Sequence, residues 1–113
     1  MKPGDLVLLR FPQTDLQQDK LRPALVIAIA PGRHADVLLA LVTSRTYQAV
    51  AGFGEVVEPT DPPFSVTRPK TRSVIRLARL ATVEPRAVAA KLGSISPDRL
   101  ARVREHLVSW LKP

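Results

Sequence analysis

Short apolar strands followed by one well-capped amphipathic helix predict an α+β fold that is mainly β: a small barrel or strongly curved sheet with a C-terminal helix packed on it. Three observations carry this. Apolar runs of strand length recur between turn residues in the first half. Residues 58–72 are Pro-rich and exclude a helix there. The helix signal is sharp only at the end. With 113 residues, 45% of them hydrophobic, one core and a single domain over 1–113 are expected.

Gly4-Asp5 punctuates the start, and residues 6–11 read as a buried strand rich in Leu and Val. Pro12-Gln13-Thr14-Asp15 stops it, and 12–21 form a polar loop. Arg22-Pro23 opens a second strand over 24–30, since the first residue of a strand need not donate to the ladder. Pro31-Gly32-Arg33-His34 is a turn, and 36–42 read as a third strand ending at Thr43-Ser44. A polar link over 45–52 leads to a short strand at 53–57. Alternation returns over 73–82, a strand bent or broken near Ala78. Glu84-Pro85 predicts a short helix through Lys91, ended by Gly93. Ser96-Pro97-Asp98 supplies an N-cap, a Pro at the first helical position and an acid in the first turn. Leu100, Val103, Leu107, Trp110 and Leu111 then recur at helical spacing, which makes Trp110 a core anchor.

The net charge of +7 is unevenly placed. Residues 1–67 sum to −1, whereas 68–113 carry eleven Lys/Arg against Glu84, Asp98 and Glu105, a net of +8. Such a bias suits a polyanion, nucleic acid or an acidic protein, and equally a solvated basic surface. The absence of cysteine excludes disulfides, thiol nucleophiles and Cys-based zinc sites. His34 and His106 lack metal-ligand spacing, so no metal or other cofactor is expected. No apolar run is long enough for a transmembrane helix, and 1–5 hold no signal-peptide core, so a cytoplasmic location is expected. No phosphate-binding Gly-rich loop and no G-x-S-x-G elbow occur.

Three groups of residues can carry chemistry. Arg22 sits at a loop-to-strand junction, where a rigid cationic fork can grip a phosphate or pair with Asp15 or Asp19. Thr43 and Ser44 place two hydroxyls at a strand end, where they can bond phosphate oxygens or simply form a turn. Arg68, Lys70 and Arg72 in the Pro-rich loop can track an RNA backbone, with Arg76 and Arg79 in the strand that follows. Arg76 and Arg79 are three apart and face opposite sides of any regular strand. Tyr47, Phe53 and Phe64 can stack on bases or pack in a core.

The order of these motifs resembles the MazF/PemK toxin family nearly end to end. Gly4-Asp5, Phe11-Pro12-Gln13-Thr14-Asp15 and Arg22-Pro23-Ala24-Leu25-Val26-Ile27 resemble its opening. Val42-Thr43-Ser44, Ala51-Gly52-Phe53, Ser73-Val74-Ile75-Arg76 and Lys91-Leu92-Gly93-Ser94-Ile95-Ser96 resemble its later motifs. The resemblance implies an SH3-like barrel of the MazF/PemK/CcdB type, a homodimer, an acidic antitoxin partner and metal-free cleavage of single-stranded RNA. By position it implies that Arg22 stabilises the pentacoordinate phosphate or donates a proton, with Thr43 and Ser44 holding phosphate oxygens. Arg76 would be a second cationic group, and Tyr47 and Phe53 would lie near the RNA path.

The chain departs from relatives at proton-transfer positions. Leu16 and Gln17 stand where some relatives place His or Glu, and Ala78 stands where they often place Asp. Asp19 is the nearest spare carboxylate. Two alternatives to a ribonuclease follow: a non-catalytic RNA-binding or antitoxin-binding module, and a protein-targeting toxin such as a gyrase poison of the CcdB type.

Overall fold

The computed structural model describes residues 1–12, 20–45, 53, 55–57 and 72–113, with the side chain of residue 57 left aside. Six strands form one antiparallel sheet: β1 (Asp5–Leu9), β2 (Arg22–Ile29), β3 (Val37–Thr43), β4 (Glu55–Val57), β5 (Ser73–Val83) and β6 (Val88–Ser94). Their order is β4-β5-β3-β2-β1-β6, so β4 and β6 are the edges and do not close the sheet by hydrogen bonding to each other. One helix, α1 (Pro97–Leu111), follows. The mainly-β fold with a C-terminal helix is the one the sequence predicts. Among the described residues no helix is long and apolar enough to cross a membrane.

Strands β2 and β3 are apolar on both faces because each face meets its own core. One core joins Leu6, Leu25, Ile27, Val42, Ile75 and Leu77 to Val103 and Leu107 of α1. The other joins Val7, Leu9, Phe11, Ala24, Val26, Leu39 and Leu41, where the curved sheet folds over itself. The run Ala24-Leu25-Val26-Ile27 is buried throughout, as a doubly covered strand requires.

Helix α1 starts as its sequence dictates. Ser96 caps it by accepting a hydrogen bond from the Arg99 N–H at 3.1 Å, with Pro97 and Asp98 in the first turn. Its arginines then dock it. β2 carries a bulge at Ile27, which has no register partner in β1 or β3. Arg104 donates to that Ile27 carbonyl from Nη2 at 2.7 Å and from Nε at 3.2 Å. Arg99 donates from Nη1 to the Val56 carbonyl of edge strand β4 at 2.9 Å, and Arg102 pairs with Glu55 at 3.1 Å. Phe53 meets Trp110 edge to face, with ring centroids 5.1 Å apart.

The sequence expectation fails at residues 84–94. Pro85–Ala87 form a single 3-10 turn, and 88–94 form strand β6 instead of continuing a helix. The edge of β1 left open by β2 supplies the reason, since β6 pairs along it from Leu9↔Val88 to Asp5↔Ser94. Asp5 anchors this pairing although its side chain is only 1% exposed. Its Oδ2 accepts from the Lys2 N–H at 2.9 Å, and Lys91 of β6 lies 3.4 Å from Oδ1. Gly4, at φ +96°, suits the turn that precedes it, bonding Val26 and Ile95 through its backbone. Trp110 also differs from expectation: it remains 50% exposed and rests on Phe53 at the margin of the core.

Arg104→Met removes both donors from a carbonyl that has no ladder partner. It is expected to lower unfolding free energy by about 1–3 kcal/mol in urea denaturation. Arg102→Met removes only an exposed pair and is expected to cost less than about 1 kcal/mol. Equal losses would contradict the bulge as the docking point.

Candidate nucleic-acid site at the β2–β3–β5 rim

Register brings the candidate residues together. β2 and β3 pair through Ala24↔Leu41, and continuing that register by two residues sets Arg22 opposite Thr43. β3 and β5 pair through Thr43↔Val74 and Leu41↔Arg76. Side chains alternate between faces, so Arg22, Thr43 and Arg76 share the face of Ala24 and Leu41, opposite the face that α1 covers. They sit on three neighbouring strands, each spaced about 4.8 Å from the next.

Each has a local reason to be there. Arg22 is half-buried where Arg22-Pro23 enters β2 beside Leu9, and its Nε is enclosed from solvent. Thr43 ends β3, and its Oγ1 accepts from the Arg45 N–H at 3.1 Å, which fixes the exit of the chain. Ser44 is exposed immediately beyond. Arg72 is exposed just before β5, and Arg76 is half-buried within it. Segments 20–24, 43–45 and 72–76 hold Lys20, Arg22, Arg45, Arg72 and Arg76 and no acid. A cationic rim with a hydroxyl at its centre can bind a phosphodiester and stabilise added negative charge on it. Lys20 and Arg45 are not among the sequence candidates; the signal for them is adjacency to the strand ends that carry Arg22 and Thr43.

Not every candidate joins this group. Phe53 is half-buried in the helix-side core against Trp110, on the other face from Arg22 and Thr43. Asp19, Tyr47, Arg68, Lys70, Leu16, Gln17 and Phe64 lie outside the described residues. Among the described residues no three metal-binding side chains cluster. A cleft of about 500 Å³ opens at the opposite end of β2 and β3, lined by Arg33, His34, Asp36, Glu84 and Arg86. Its charges are of both signs, and Arg86 pairs with Glu84 in its wall. Among the described residues the rim segments carry charge of one sign, as a polyanion needs, whereas this cleft carries both.

Comparison with known proteins agrees with this fold. A family model described as PemK-like, MazF-like toxin of type II toxin-antitoxin system matches residues 2–111. The chain is similar to MazF from Deinococcus radiodurans, at 27% identity and a TM-score of 0.68, over 100% of this chain and 97% of that one. It also shares its fold with an endoribonuclease from a mycobacterial species in complex with its cognate antitoxin, at 18% identity, a TM-score of 0.68, and coverage of 100% and 97%. A further mycobacterial endoribonuclease is similar at 20% identity and a TM-score of 0.63, over 98% of this chain and 90% of that chain. Comparison with curated proteins by sequence finds no match.

Trp110 is the only tryptophan, so its emission reports the packing against Phe53. Phe53→Ala is expected to shift that emission to the red and to cost about 0.5–1.5 kcal/mol beyond the loss of buried area. Unchanged emission would mean that the two rings do not meet in solution.

Proposed function

The chain belongs to the PemK-like, MazF-like toxin family of type II toxin–antitoxin systems, and on that premise we propose that it is a metal-independent endoribonuclease acting on single-stranded RNA at the β2–β3–β5 rim. The observation that carries the proposal is the shared face of Arg22, Thr43 and Arg76 on three paired strands. A phosphodiester seated there meets cations and a hydroxyl and no carboxylate from the described segments that form the rim.

In the proposed reaction the ribose 2′-oxygen attacks the adjacent phosphorus. A 2′-O–P bond forms, the P–O5′ bond breaks, and the products are a 2′,3′-cyclic phosphate and a 5′-hydroxyl. The 2′-proton passes to a base and the 5′-oxygen takes up a proton. Arg22 stabilises the dianionic pentacoordinate phosphate, because a guanidinium fork matches two equatorial oxygens. Thr43 and Ser44 hold phosphate oxygens by hydrogen bonding. Asp19, in the β1–β2 connection, is the proposed acceptor of the 2′-proton. Arg68, Lys70, Arg72 and Tyr47 are proposed to touch the RNA away from the scissile link. The remaining partners proposed are an acidic antitoxin segment that competes for this rim, and a second copy of the chain in a homodimer. The proposed setting is the cytoplasm, where such RNA is found.

A second reading, a binding module without catalysis, has one observation in its favour. Leu16, Gln17 and Ala78 stand where the resemblance implies proton-exchanging side chains, and none of the three exchanges a proton near neutral pH. Electrostatic stabilisation without an optimal base still gives large accelerations, which favours the enzyme.

Cleavage of a long single-stranded RNA by the purified protein in EDTA separates the two. The expected result is cutting that Arg22→Ala slows by about 10²–10³-fold. Thr43→Ala is expected to slow it by about 10–100-fold, the worth of one hydrogen bond to a charged group. RNA that stays intact yet shifts in a gel would establish the binding module instead.

A further inference from the structure

Among the described residues from 76 onward, five of the eight Lys and Arg engage acids or backbone carbonyls of the fold. Arg86 pairs with Glu84, Lys91 with Asp5, and Arg102 with Glu55. Arg99 and Arg104 donate to the Val56 and Ile27 carbonyls. Among the described Lys and Arg of this stretch, only Arg76, Arg79 and Lys112 make no side-chain ion pair or hydrogen bond. Two of those three lie on one strand, within four residues of each other, beside Thr43.

The backbone brings that pair to one side. Leu41 pairs with Arg76, but the next residue of β3, Ala40, pairs with Leu80. Leu77, Ala78 and Arg79 are therefore extra residues in a bulge of β5, opposite no residue of β3. After the bulge, Leu80 faces the helix-side core while Ala81 and Val83 face the other one. Leu77 packs in the helix-side core as Leu80 does, so the alternation breaks once between them. With the break before Arg79, Arg79 falls on the side of Ala81. Arg76, through Leu41, is already there. A regular strand would set Arg76 and Arg79 on opposite faces; the bulge removes that conflict. Arg79 is exposed and Arg76 half-buried, so the two present charge at different depths on the Arg22–Thr43 face.

We propose that the β5 bulge builds a two-arginine clamp, Arg76 and Arg79, that grips the phosphate backbone of single-stranded RNA beside the scissile link. The proposal rests on the ribonuclease reading and deepens it by assigning Arg79, which strand alternation alone directs away from the site. The clamp reads no base: two guanidinium groups on backbone oxygens add affinity and register, not sequence preference. The same geometry would also suit an acidic protein segment. RNA is favoured because Arg76 shares the face of Arg22 and Thr43, two residues along β5 from Val74, the register partner of Thr43.

The test is binding of a labelled single-stranded RNA carrying 2′-O-methyl groups throughout, which cannot be cut, followed over a range of salt concentrations. For single strands the slope of log K against log salt changes by about 0.7 for each phosphate that the protein ceases to neutralise. Arg79→Gln is expected to flatten the slope by about 0.7, and the Arg76→Gln, Arg79→Gln double variant by about 1.4. Lys112→Gln, which removes the same charge at the end of α1, is expected to leave it unchanged, as is the thermal melting of the exposed Arg79→Gln variant. A salt-dependent parent with an Arg79→Gln slope equal to that of Lys112→Gln would overturn the clamp alone. A parent that does not bind the RNA would overturn the ribonuclease reading with it. Weaker capture of a poly-glutamate peptide by the double variant, with RNA binding intact, would overturn the clamp and assign the pair to an acidic protein.

Discussion

The constraint on which the rest of this structure depends is that β2 is buried on both faces. Ala24, Leu25, Val26 and Ile27 alternate between two cores, so neither side of the strand can face water. At roughly 25 cal/mol for each Å² of apolar surface, both must be covered for the domain to persist. One face requires α1. The other requires the sheet to curve until β1, β3 and β5 enclose it. Charged side chains on these strands are thereby kept to the ends of β2 and β3 and to β5 around its bulge.

The bulge at Ile27 and the bulge of β5 are two responses to that curvature. Each lets a strand bend, and each breaks a ladder. At Ile27 a carbonyl is left over, and Arg104 satisfies it while seating the helix. In β5 the inserted residues change which side chains share a face. One bulge thus serves folding, and the other sets the charge pattern of the rim. The net charge of +7 does not describe that pattern, because Asp5, Glu55, Glu84 and two backbone carbonyls engage five of the cations.

Much of this is legible in the sequence because the signals are local. The cap at Ser96, the strand entry at Arg22-Pro23 and the strand end at Thr43 each depend on residues a few positions apart, and all three stand in the structure. The bend near Ala78 is legible as a break in alternation, although its effect on Arg79 is not, since that depends on register with β3. Strand β6 escapes sequence reading because Glu84-Pro85 and the run Val88-Ala89-Ala90-Lys91 suit a helix locally; only the open edge of β1 makes them a strand. Trp110 and Leu111 share the spacing of the buried residues, yet both stay exposed in the last turn of α1, where Trp110 meets Phe53 edge to face. Of the candidate site, Arg22, Thr43 and Arg76 stand out in the sequence, whereas their common face requires the pairing of β2, β3 and β5.

The central claim is that the rim at the ends of β2, β3 and β5 is where the polyanion sits. Amide chemical-shift mapping with 15N-labelled protein and the uncleavable single-stranded RNA tests it most directly. The account predicts that shifts concentrate at Arg22, Thr43, Ser44, Arg45, Arg76 and Arg79 and leave 33–36 and the outer face of α1 unchanged. Shifts confined to Arg33, His34 and Arg86, or to Val108 and Leu111, would contradict it and move the site to the distal cleft or the helix.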